Sequence, residues 1–334
     1  MRHGANIYKY AKKLGCHHNE ILDFSSNVNM YHPDINITPT QDILVKYGDS
    51  TYTDLKKTIT TKYPVQKNQI ALYNGATSAI FELFKTLHTP RVYLYAPLYG
   101  EYEKAIPKDA KIIKINRFKN FMKKPKKNAT VVFVNPSTPD GQYYDLKKLF
   151  KLWEKQNCTI VIDESFLDFE MHKSMINQIN NYKKLYIIKS FTKFYSCAGV
   201  RIGALFSNKK NVKRLELPLW NLSSFDVHFL TQRIQDSSFS KQSHKLHTIQ
   251  KKELKSILEK SGLFDKVFTS DSNFIMVKSK KAKKLFQSLL ERKILVRTCE
   301  SFDFLDNKYL RFGVKNRYMH ATLKKAFEEF NNEK

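Results

Sequence analysis

The 334 residues carry 42% hydrophobic and 13% aromatic side chains, enough for one large domain plus a smaller one and too many for a disordered chain. Ten Gly and ten Pro exclude a collagen-like or linker-dominated sequence. Lys and Arg number 58 against 31 Asp and Glu, a net charge of +27, yet only ten of the 58 are Arg and the lysines are scattered. No spaced aromatics and glycines accompany them, so the charge describes a solvated surface and no nucleic-acid partner is expected.

The N-terminal residues MRHGANIYKYAKK lack the apolar run of a signal peptide, and nothing approaches the ~18 apolar residues of a membrane span. Cys16, Cys158, Cys197 and Cys299 lie far apart without a C-x-x-C pair, which argues against a zinc site or a disulfide framework. A soluble cytoplasmic protein with reduced thiols, no metal and no membrane contact is expected.

In chain order, Thr77–Leu87 has helical spacing, and Arg91–Tyr95 and Ala110–Ile115 read as buried strands. Lys123–Lys127 reads as a solvated loop before the strand Thr130–Val134. The helical pattern Asp145–Gln156 follows, then the strands Thr159–Asp163, Leu185–Ser190 and Ile202–Phe206. Apolar strands alternating with helices predict an α/β fold with a mainly parallel sheet covered on both faces, and ligands beyond the carboxyl ends of its strands. After about Pro218 the pattern changes to one long Lys-rich helix, roughly 227–260. Strands at Asn273–Val277, Ile294–Arg297 and Tyr309–Val314 and a closing helix Tyr318–Phe330 complete it. This predicts a smaller C-terminal α/β domain that also recruits the first forty residues. The expected divisions are 1–40, 41–220 and 221–334.

Chemistry concentrates in Ser190-Phe191-Thr192-Lys193-Phe194-Tyr195 and Gly199-Val200-Arg201-Ile202-Gly203. A lysine just past a buried strand is partly desolvated, which lowers its pKa and frees its amine for a Schiff base. Arg201, between two glycines, suits a phosphate; a surface lysine and a salt-bridged arginine are the plain alternatives. Asp163 ends a strand, either as a ligand group or as a helix cap. Gly75, Ala76 and Thr77 open a helix suited to an anion, and Tyr99 offers a ring for stacking or for the core.

Taken together, these residues resemble the fold-type I enzymes that depend on pyridoxal 5'-phosphate (PLP), over nearly the whole chain. The resemblance implies a large PLP-binding domain with a mainly parallel sheet between helices. It also implies a smaller α/β C-terminal domain and an N-terminal segment covering the active site. By it, Lys193 binds the cofactor aldehyde, Asp163 pairs with the pyridine nitrogen, and Tyr99 stacks on the ring. Gly75, Ala76, Thr77, Ser190, Thr192 and Arg201 hold the phosphate. Tyr52 of YGDSTY reaches that phosphate from the other subunit, which implies a homodimer with shared sites.

Two branches of the superfamily compete, histidinol-phosphate aminotransferase and threonine-phosphate decarboxylase. His3-Gly4-Ala5-Asn6-Ile7 is similar to the decarboxylases' H-G-G-N-I, and Asp23–Asn29 (DFSSNVN) to their D-F-S-A-N-I-N. Phe166 in DESFLDF stands where the aminotransferases usually have Tyr. Arg297 and Arg311 match that branch's paired arginines. The resemblance therefore implies His3, Asn6, Asn27, Arg297 and Arg311 as substrate-binding residues. The expected substrate is a small phosphorylated amino acid: O-phospho-L-threonine, giving 1-aminopropan-2-yl phosphate, or O-phospho-L-serine, giving ethanolamine phosphate. The product would serve the nucleotide loop of cobamides or, from phosphoserine, a surface polysaccharide. An aminotransferase acting on histidinol phosphate is the alternative, and a basic regulatory protein on the same fold is the non-enzymatic one. One departure stands out: Asn135-Pro136-Ser137-Thr138-Pro139-Asp140-Gly141 has Thr138 where the family's N-P-N-N-P-T-G places its second Asn. A hydroxyl with shorter reach would then contact the phenolic oxygen of PLP.

Overall fold

A computed structural model describes residues 4, 6–35, 41–215 and 217–333. Thirteen strands are present among them. They are β1 (Leu22–Asp23), β2 (Ile70–Asn74), β3 (Arg91–Ala96), β4 (Lys111–Asn116), β5 (Thr130–Val134), β6 (Thr159–Asp163) and β7 (Leu185–Ser190). After these come β8 (Ile202–Phe206), β9 (Lys266–Val267), β10 (Phe274–Lys278), β11 (Ile294–Leu295), β12 (Arg297–Thr298) and β13 (Tyr309–Gly313).

Seven of them form the large sheet in the order β2-β8-β7-β6-β5-β3-β4, with β8 alone running against its neighbours. Every residue of β5, β7 and β8 is buried, as a sheet sandwiched between helices requires. The period of two sorts the side chains: Val131, Phe133, Ile160 and Ile162 enter one core, while Val132, Val134 and Val161 enter the other. Phe133 packs edge-on to Tyr144 and near Trp153, whose Nε1 donates to Tyr95 at 2.9 Å. Truncating such a ring to Ala costs about 3–5 kcal/mol.

β12-β13-β10-β9 form an antiparallel sheet with its own core of Leu285, Leu289, Phe312 and Leu323. Near the chain's start, β1 pairs in parallel with β11, Leu22 opposite Ile294 and Asp23 opposite Leu295. From there residues 23–29 run across the molecule. Phe24 accepts from Gly313 N–H at 2.7 Å, and Asn29 N–H donates to the Lys193 carbonyl at 2.9 Å. The early segment thus ties the C-terminal sheet to the turn that carries Lys193.

Three of the differences from the sequence-based expectation bear on the architecture. Strand β2 (IALYN) was not among the expected strands, because a run of four apolar residues ending in Asn74 beside a glycine has no period of its own. The expected helix over 227–260 is two helices, Ser224–Gln235 and Ser237–Lys260. Asp236, with ψ 97°, interrupts them, and its carboxylate caps the second by accepting from Ser238 and Phe239 N–H at 2.9 and 3.1 Å. The run Ile294–Arg297 divides between two sheets, as β11 and β12. Among the described residues no helix is long and apolar enough to cross a membrane, and no group of three His, Cys, Asp or Glu could hold a metal ion.

Candidate active site

Beyond the carboxyl ends of β6 and β7 lies a cavity of about 620 Å³, walled on its far side by β12 and β13. Lys193 enters it from the short helix Phe191–Phe194 that follows β7 directly. Burial lowers its ammonium to about 8, helped by the cationic Arg201 and Arg311.

Asp163, the last residue of β6, is 5% exposed. Its Oδ1 accepts from Ser165 N–H and its Oδ2 from the Tyr102 hydroxyl, both at 2.9 Å. Burial raises its pKa, and the Ser165 and Tyr102 hydrogen bonds oppose that rise. Glu164, next along, takes no part in the cavity: it accepts from Ser174 Oγ at 2.5 Å and Met175 N–H at 2.7 Å.

The helix Gly75–Thr86 starts at the same edge, and its N-cap Asn74 makes no side-chain cap, which leaves first-turn amides for a ligand. Gly75 has φ +79°, and a Cβ there would meet Arg201 Nη2 at 2.6 Å. The missing side chain is what lets the guanidinium lie against the helix start. Gly203 allows the same closeness from β8, since its Cβ would stand 2.3 Å from Ala76 N. Ser190 Oγ and Thr192 Oγ1 are 2.8 Å apart, and Thr77 Oγ1 is 3.2 Å from the Tyr99 hydroxyl. Uncapped amides, paired hydroxyls and Arg201 make an anion cradle. A buried carboxylate and a low-pKa lysine complete a donor set that fits PLP.

Across the cavity, Arg297 and Arg311 are register partners on β12 and β13, only 2% and 6% exposed. Arg311 donates to Thr138 Oγ1 at 3.0 Å and to the Ser25 carbonyl at 3.3 Å, and lies over the Phe274 ring. Burial lowers it to about 10. Arg297 donates to Ser301 Oγ at 2.9 Å and lies over Phe302. Phe166 meets Phe274 edge to face, so the Asp163 side of the cavity ends in apolar rings.

Thr138 therefore has a partner that its sequence did not announce. Its oxygen accepts from Arg311, which leaves its own proton to donate elsewhere. The loop that carries it is held by the buried pair Arg117–Asp140, at 2.9 and 2.5 Å, with Arg117 also donating to the Tyr144 hydroxyl and the Thr138 carbonyl. Neither Arg117 nor Tyr102 was singled out from sequence. Arg117, one of ten arginines and placed directly after a strand, carried the only visible signal.

Asn27 lines the cavity, and its buried Oδ1 has no hydrogen-bond partner among the described residues. Asn6 does not reach it: it is exposed and accepts from Lys9 N–H at 3.2 Å, capping the helix Ile7–Leu14. His3 lies outside the described residues. Tyr52 also stands apart from the cavity of its own chain. Its hydroxyl donates to Asn221 Oδ1 at 2.8 Å and accepts from Leu222 N–H at 3.1 Å. Its one proton is taken by Asn221, so to donate to a phosphate in a second copy it would have to give up that bond.

The chain is similar to the adenosylcobalamin biosynthesis bifunctional protein CobDQ of Leptospira interrogans, 31% identical over 99% of this chain but only 41% of that protein's length. It is 22% identical to the threonine-phosphate decarboxylase of Salmonella typhimurium, over 96% of this chain and 94% of that one. The solved histidinol-phosphate aminotransferase of Clostridium acetobutylicum superposes with a TM-score of 0.81 at 26% identity, covering 94% of this chain and all of that one. The family model for aminotransferase class I and II matches residues 19–330, and with Lys193, Asp163 and the anion cradle converging as described, the chain belongs to that family of PLP-dependent enzymes.

Proposed function

We propose that the protein decarboxylates an O-phosphorylated small amino acid, O-phospho-L-threonine or O-phospho-L-serine. The observation that carries this is the placement of Arg297 and Arg311, two buried cations side by side, facing Lys193 in one cavity. Two guanidiniums lining one cavity suit a ligand with two anionic ends. Arg311 would grip the carboxylate and Arg297 the phosphate. The relatives named for cobalamin biosynthesis and threonine-phosphate decarboxylation support the same reading.

Bound PLP supplies an electron sink conjugated to the substrate amine. The protein's own part is orientation and proton traffic. Asp163 keeps a negative charge buried at the pyridine end, held in place by Tyr102 and Ser165. Arg297 and Arg311 would hold the substrate's anionic ends and so set which bond at its α-carbon is presented to that electron sink. Lys193, half-protonated near pH 8, would return the proton of its ammonium form to the α-carbon after CO2 leaves.

The second reading, transamination of histidinol phosphate or a related amine, has Lys193 removing the α-hydrogen instead. The likeness to a histidinol-phosphate aminotransferase favours it, and the apolar Phe166 speaks against it. Phosphorus NMR separates the two. With no oxo acid added, O-phospho-L-serine or O-phospho-L-threonine should give a new phosphomonoester and CO2. Turnover only with histidinol phosphate and 2-oxoglutarate would replace this reading with the second.

The surface supports a homodimer. Leu44, Val45 and Tyr47 are exposed beside Leu219, Trp220 and Phe225, and Tyr47 packs on Trp220 with ring centres 4.6 Å apart. A contiguous apolar patch of this kind is what a second copy would cover.

A further inference from the structure

Lys315 follows β13 two residues after Gly313 and is 3% exposed, yet it does not line the cavity. A methionine or leucine would fill its volume without the cost of desolvating an ammonium, so the charge itself calls for a reason. Its Nζ donates to the Ser26 carbonyl at 3.1 Å. The neighbouring carbonyls are held in the same way: Ser25 accepts from Arg311 at 3.3 Å and Asn27 from Asn273 Nδ2 at 2.7 Å. Three consecutive peptide groups are thus pinned by three side chains of the C-terminal sheet or its flanks, while Ser25, Ser26 and Asn27 themselves wall the cavity. At the other end of this strap, Asn29 is bonded to the Lys193 carbonyl.

We propose that Lys315 is a positioning residue for substrate: by holding the Ser26 carbonyl it fixes the Ser25–Asn27 wall against Arg311, so that the guanidinium and the Asn27 amide face the same anionic end of the substrate. This rests on the reading that Arg311 grips an anion. The charged groups around the ammonium are Asp23, which favours its charge, and Arg311, which opposes it. His320 accepts from the Lys315 backbone N–H at 3.1 Å and is itself bonded to Glu253 at 3.0 Å. Burial lowers Lys315 to about 8, so the wall is held by a charged donor below that pH and by a neutral one above it.

The test compares Lys315→Met and Lys315→Arg in the cofactor-loaded enzyme. Lys315→Met should raise KM for the phosphorylated substrate about tenfold, the loss of one charge-assisted hydrogen bond, with kcat and the cofactor absorption maximum unchanged. Lys315→Arg should restore most of that loss. Wild-type KM should rise above pH 8, whereas the Met variant's KM should be high and flat between pH 7 and 9. Lys193 is read separately from the absorption spectrum in the same buffers, which should be alike in both proteins. An unchanged KM, or kcat and cofactor affinity falling together with it, would overturn the proposal. If the wild type transaminates instead, the reaction reading fails alone, and the same KM comparison is made with glutamate as the carboxylate substrate.

Discussion

At the floor of the cavity Asp163, Ser190 and Lys193 stand at or just past the ends of the adjacent strands β6 and β7, whereas the far wall is assembled from residues 25–27, 138, 297, 301, 302 and 311. The floor is held by ladder hydrogen bonds within one buried sheet. The wall is held by side chains reaching carbonyls almost the whole chain away, such as Arg311 to Ser25 and Lys315 to Ser26. A sheet floor is rigid whatever occupies the cavity. A wall made of single side-chain bonds can be re-cut one residue at a time, which is where substrate choice would be written on a shared fold.

The largest effect that separates the two ends comes from Lys193→Ala. It should abolish turnover and leave PLP removable by dialysis, with the absorbance of covalently held cofactor lost, while the folded protein and the Arg297–Arg311 wall persist. Retained activity in that variant would break the assignment of the floor. Lys315→Met, by contrast, should leave the cofactor spectrum alone.

The same contrast explains what could be read in the sequence. Strand-end residues sit next to apolar runs, so Asp163, Lys193, Arg201 and the helix start at Gly75 stood out, and five of the large sheet's seven strands were visible with the right first residue. A sixth, β4, was displaced by one residue, and β2 carried no period. The wall was legible only by resemblance, and imperfectly. Asn6 shares a motif with substrate-binding segments yet caps a helix, because an Asn three residues before a free N–H satisfies that donor first. Tyr102 gives no sign that its hydroxyl ends on Asp163, a contact made 61 positions apart. Lys315 was one lysine among many until its burial was known.

The next effect falls on the wall. Arg117→Met would leave Asp140 buried without its bidentate partner, at a cost of about 3–5 kcal/mol in chemical denaturation. Because Arg117 also donates to the Thr138 carbonyl, the loop and its Arg311 contact should loosen, and KM should rise more than kcat falls. Asp140→Leu in addition should recover part of the stability, since no charge is then left unpaired. A double variant as unstable as the sum of the single ones would show that the pair acts by packing alone.

The smallest effect links the two ends through charge. Lys193 sits at about 8 chiefly because it is buried, with Arg201 from the floor and then Arg311 from the wall adding to the shift. In the cofactor-free protein its amine is neutral above that pH, so acylation of Lys193, followed by peptide mass spectrometry, should be half-maximal near pH 8. Surface lysines should reach that point only near ~10.4. The same shift has a stability sign. Between about pH 8 and the ordinary lysine range the unfolded chain holds a proton that native Lys193 and Lys315 have lost, so stability contributed by these groups rises with pH there and is lost as pH falls through 8. Removing either arginine should move the Lys193 midpoint upward, Arg201→Met by more than Arg311→Met. The reverse order would mean that the wall, built from distant pieces, governs the lysine more strongly than the sheet edge on which it stands.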